Sequence, residues 1–103
     1  HDYRQELAAI SADTAKAPNS DLFSSDFSIN RAGNLVRISV QLGAAAALNV
    51  VPNSGSALHL GTVSANTLTT FTLALDHGRT WNLQHGAGSD TTFEHCVVQE
   101  LQG

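Results

Sequence analysis

Residues 67–76 read TLTTFTLALD, and their alternation decides the fold class. Thr69, Phe71, Leu73 and Leu75 fall on one side of an extended chain, while Thr70, Thr72 and Asp76 fall on the other. A side-chain period of two describes a strand with one buried face and one wet face. Working outward, the same texture recurs from Leu22 to Leu101 in short segments rich in Thr, Ser, Val and Leu, each closed by Gly, Asn, Asp or Pro. Short strands at turn-punctuated spacings of roughly ten residues predict an all-β fold, a single antiparallel β-sandwich or jelly roll of seven to eight strands.

The expected strands are placed as follows. Leu22 to Asn30 points Phe23, Phe27 and Ile29 one way and Ser24, Asp26 and Ser28 the other, and Arg31 to Asn34 supplies a turn. Leu35 to Leu42 is the cleanest half-buried strand, with Val36, Ile38, Val40 and Leu42 alternating with Arg37, Ser39 and Gln41. Gly43 and Ala44 to Ala47 read as a bend, a bulge or a closely packed strand, with a helix too short to stand alone as the alternative. Leu48 to Val51 resumes, Pro52 to Gly55 turns, and Leu58 to Val63 is a strand bent at Gly61. Thr67 to Asp76 and Thr80 to Gln84 predict a hairpin across His77-Gly78, with Gly78 at the positive φ of the turn. A loop over His85 to Asp90 then precedes a closing strand, Thr92 to Leu101.

Residues 1–21 differ in character and are expected to form an N-terminal arm, with the sandwich domain over 22–103. Tyr3, Leu7 and Ile10 recur at helical spacing and predict two or three turns of helix, followed by an extended connector through Pro18 and Asn19. Such a short helix is marginal alone. These three residues are therefore the expected assembly-arm contacts, made either to a neighbour or across the open end of the chain's own sandwich. The chain contains no Met and begins at His1, which fits either processing or omission of upstream residues.

Composition bounds the functions. At 103 residues the chain is one domain, of a size at which partners contribute much of the stability. Only 14% of residues are charged, which suits a surface packed into an assembly. Five Lys plus Arg against nine Asp plus Glu leave no basic stripe for a phosphate backbone, so direct nucleic-acid binding is not expected. No run of 18 apolar residues spans a membrane. Cys96, alone in the chain, cannot form an internal disulfide and reads as a small core residue.

No catalytic constellation or cofactor is expected. The five histidines share no short ligand motif, although His85 and His95, with Glu94 or Asp90, would make half a metal site if a final hairpin joined them. Serine is abundant, but no G-x-S-x-G elbow occurs, and His95 and Cys96 point to opposite faces of a strand. No pair among Asp26, Asp76, Asp90, Glu94 and Glu100 is set for glycoside hydrolysis, and the 89–94 loop offers too few carboxylates for calcium. Trp81 reads as core, with a sugar-stacking platform as its alternative.

Taken together, an Ala- and Ser-rich leading arm and a small Thr-, Ala- and Asn-rich sandwich resemble the capsid decoration, or cement, proteins of tailed bacteriophages. The likeness is carried by Phe27-Ser28-Ile29 leading into Leu35 to Leu42, by Leu68 to Leu75 with its Asp-His-Gly turn, and by Trp81 to Gln84 before Val97 to Glu100. The resemblance implies a non-enzymatic virion subunit on the capsid surface. Its partners would be the major capsid protein and identical subunits, most often in a homotrimer whose arms tie neighbouring capsomers together. Two other readings stay open: an extracellular filament or pilus subunit assembled by strand addition, and a carbohydrate- or receptor-binding module using Trp81, Tyr3 or the 85–90 loop.

Overall fold

A computed structural model of the chain describes residues 3–102, and within them the fold is all-β with no helix. Nine strands form: β1 Tyr3–Ala9, β2 Thr14–Lys16, β3 Phe27–Ser28, β4 Leu35–Leu42, β5 Ala46–Pro52, β6 Leu58–Val63, β7 Thr69–Ala74, β8 Thr80–His85 and β9 Thr91–Gln102. One sheet has the order β1-β9-β4-β7, with β2 beside β1 on the same flank of β9; the other has the order β3-β8-β5-β6.

The pairings nest. β5 pairs with β6, β4 with β7, β3 with β8, and β2 with β9, as in one long antiparallel hairpin. Rolling that hairpin lays β4 against β9 and β5 against β8, which closes a jelly roll. The expected fold class therefore holds, with nine strands among the described residues in place of seven to eight, because β1 and β2 come from the segment expected to be an arm. The alternation of β4 is as expected, because Val36, Ile38, Val40 and Leu42 are all fully buried. They pack with Leu48, Val50, Leu83, Phe93, Cys96 and Val98 into one core between the sheets.

Four expectations are corrected. The helix over Tyr3, Leu7 and Ile10 is not formed; Tyr3–Ala9 is β1, antiparallel to β9, with Tyr3 opposite Gln102 and Ala9 opposite Val97. A β-bulge between Glu6 and Ala8 inserts Leu7 as an extra residue, and this breaks the period of two. Apolar residues at 3, 7 and 10 then imitate a helical stripe while Leu7 and Ile10 pack on the core. The extended connector contains β2, whose Thr14, Ala15 and Lys16 pair with Phe93, Thr92 and Thr91.

The first sandwich strand is shorter than expected, since only Phe27 and Ser28 pair, and Leu22 takes the buried place assigned to Phe23. Finally, β7 and β8 are not a hairpin. They lie in different sheets, so the Asp76-to-Arg79 turn crosses the sandwich. Gly78 has no positive φ; its N–H is held instead by Asp76 Oδ1 at 3.2 Å. A local alternation cannot distinguish a turn that pairs two strands from one that separates them. Gly61 earns its place by contact, because a Cβ there would sit 3.2 Å from Phe71 Cε1 on the facing sheet.

Candidate functional site

Most buried polar groups serve to hold loops on the roll. Glu100, on the inward-facing side of β9, accepts from the backbone N–H of Asn30 at 2.9 Å, from that of Arg31 at 3.1 Å and from Asn34 Nδ2 at 2.6 Å. Burial pushes its pKa upward, but these donors outweigh burial and leave it below the ordinary glutamate value. The carboxylate thereby fastens the β3–β4 turn.

Asn82 does the same for residues 20–26. Its Oδ1 accepts from Phe23 N–H at 2.9 Å, and its Nδ2 donates to Phe23 O at 2.8 Å and to Asp26 Oδ1 at 2.9 Å. Leu22 N–H reaches Leu83 O and Asn19 N–H reaches His85 O, so this irregular segment covers the edge of β8.

His85 is fully buried. With its proton on Nε2 it donates to Lys16 O at 2.7 Å, while Nδ1 accepts from Ala87 N–H at 3.1 Å. Both ring nitrogens are thus engaged, and the residue ties β2 to the end of β8. His95 is exposed on β9 and pairs in register with Gln41, so the two histidines are not brought together. Among the described residues no group of three or more His, Cys, Asp or Glu is placed to hold a metal ion. Trp81 is buried and donates from Nε1 to Asp76 O at 3.1 Å, which places it in the core. Cys96 is core as well, and burial pushes its thiol up to about 12, out of reach of thiolate chemistry at neutral pH.

The surfaces divide into two unlike sides. On one, β1, β2 and the 21–25 segment frame an open groove of about 670 Å³, lined by Ala8, Ile10, Thr14, Lys16, Asp21 and Phe23 among others. Of the expected arm residues, Ile10 lines this groove and Leu7 is packed on the core; Tyr3 holds its place in the β1 register, and its side chain lies outside the described residues. Edges here are protected by charges (Arg4, Glu6, Asp13, Lys16, Asp21), by the bulge at Leu7 and by the brevity of β2 and β3.

On the other side, β6 and β7 are the last strands of their sheets, with Phe71 packed over Gly61 between them. Leu58 is 43% and Leu68 58% exposed there, beside half-buried Leu60, Phe71 and Leu73. Neither strand carries a charge. From Ile38 through Leu75 the chain has no Asp, Glu, Lys or Arg at all, so every charged residue lies in the segments before and after. That gap is the signal by which this side is legible in sequence, and counting charges over the whole chain averages it away.

No protein-family model matches this sequence. Nor does a search of curated proteins find a match.

Proposed function

We propose that this chain is a non-enzymatic structural subunit of a virion, an oligomeric decoration protein that binds the outer surface of a tailed-phage head and stabilises its lattice. The observation that carries the reading is the uncharged, uncovered β6/β7 side on a domain whose charged groups are few and whose buried polar groups are spent on fastening loops. Charge-poor surface with exposed leucines favours protein contacts over a solitary soluble life. Many copies, each making a weak contact, sum to a large stabilisation of a lattice. Identical subunits and the major capsid protein are the partners this implies. The position of β1, paired to its own β9, favours the shell over a strand-addition filament, in which a neighbour's segment would fill such a place.

The test is co-sedimentation of the purified chain with tailed-phage heads stripped of their decoration layer. Saturable binding at a fixed ratio to the major capsid protein, with raised thermal resistance of the heads, is expected. Heads that pellet without the chain and melt unchanged would refute the reading.

A further inference from the structure

We infer that β7 is a self-association edge, on which the β7 strand of a second copy of this chain pairs antiparallel about a twofold axis at Thr72. Edge strands in monomers are defended by charge, proline, bulges or shortness. β7 has none of these: six residues, TTFTLA, run in unbroken register with β4 from Leu35↔Ala74 to Val40↔Thr69, and among the described residues no strand pairs with their outer backbone edge. β6, its neighbour across the sandwich, has a bulge but no charge either.

The occupant is argued from complementarity. With Thr72 opposite the partner subunit's Thr72, positions equidistant from it meet. Phe71 then lies against the second copy's Leu73, on the face turned toward the core, and Thr70 against its Ala74, on the outer face. Apolar meets apolar, small meets small, and no charge is desolvated. Cross-strand pairs of this kind stabilise a sheet, and the contact is isologous, as a twofold requires. Half-buried Phe71 and Leu73 would complete their burial, and the two sheets would fuse into one continuous sheet. A charged partner strand would find no counterpart on this side, whereas the β7 strand of a second copy matches it pair by pair.

This inference takes from the proposed function only the expectation that the chain assembles with itself, and its test separates the two. Light scattering of the wild-type chain is expected to give twice 10.8 kDa or an even multiple of it. Thr72 is exposed, so Thr72→Lys leaves the fold intact while setting two like charges face to face; its particle mass should fall at least twofold. Thr72→Cys should form an intermolecular disulfide on mild oxidation, because directly opposed antiparallel residues have Cα spacings within disulfide range. Buried Cys96 does not compete, and Ser28→Cys, exposed on the opposite side, should stay unlinked. A wild-type monomer at high concentration, or an oligomer that is unchanged in Thr72→Lys and gives no Thr72→Cys link, would overturn the inference. Binding of monomeric Thr72→Lys to stripped heads would uphold both proposals and put the head contact away from the β7 edge. A linked dimer that ignores heads would uphold the β7 contact and sink the shell.

Discussion

Replacing Glu100 by Gln isolates one charge in the roll. Three N–H groups converge on this carboxylate at 2.6–3.1 Å, and all three belong to the β3–β4 turn. Glutamine keeps one acceptor oxygen but turns an NH₂ toward at least one of those donors. A hydrogen bond to a charged group contributes about 1.5–3 kcal/mol, so the loss should be about 2 kcal/mol at neutral pH. In a domain of this size that corresponds to a fall in Tm of roughly 8–16 °C. The pH dependence follows from the depressed pKa of Glu100. A carboxyl whose folded value lies below its unfolded value contributes fully above the unfolded value, about 4.3, and loses its contribution as pH falls through the folded one. Urea unfolding of both proteins between neutral pH and pH 3 should therefore show a gap that is widest at neutral pH and narrows below about pH 4. Equal stability at neutral pH, or a deficit that persists undiminished in acid, would refute the role given to this carboxylate.

Other perturbations probe different joints. Asn82→Ala should cost about 2–3 kcal/mol and open residues 20–26 to limited proteolysis, since Phe23 N–H and O lose their partners together. Gly61→Ala places a methyl group 3.2 Å from Phe71 and should destabilise by roughly 1–3 kcal/mol in denaturant melts. Ile38→Ala, at the fully buried centre of β4, should cost about 2–5 kcal/mol with no change in denaturant slope. Cys96 should resist thiol reagents in the native protein at neutral pH and react at once in denaturant; rapid native labelling would contradict its burial.

Legibility differs from element to element. β4 announced itself through Val36, Ile38, Val40 and Leu42, because both its neighbours are long strands and one of its faces is wholly buried. Leu7 misled, because one extra residue in a bulge converts an alternating pattern into a helical one. The Asp76–Arg79 turn misled for a different reason: partner choice is a property of the rolled topology, and no side chain within the turn encodes it. Irregular backbone over 20–26 is held by Asn82, more than fifty residues away in sequence, so its shape had no local signature. As for the candidate surface, the alternation of β7 is plain, but its meaning as an undefended edge follows only from the topology, in which no described strand pairs with its far side.

The strand on which the first sheet is built is the last in chain order. β9 receives β1 and β2 on one flank and β4 on the other, and its Phe93, Cys96 and Val98 fill the core. Until those residues leave the ribosome, β1, β2 and β4 have no common partner, and only the β5–β6 hairpin can close locally. Loop-closure entropy must be met before most of the pairing energy arrives, so folding should be slow for a domain of this size. During synthesis the nascent chain would display the uncharged stretch from Ile38 to Leu75 before its cover exists. Yield in the cell would then be limited by crowding among unfinished chains, and slowing translation ahead of β9 would lower it.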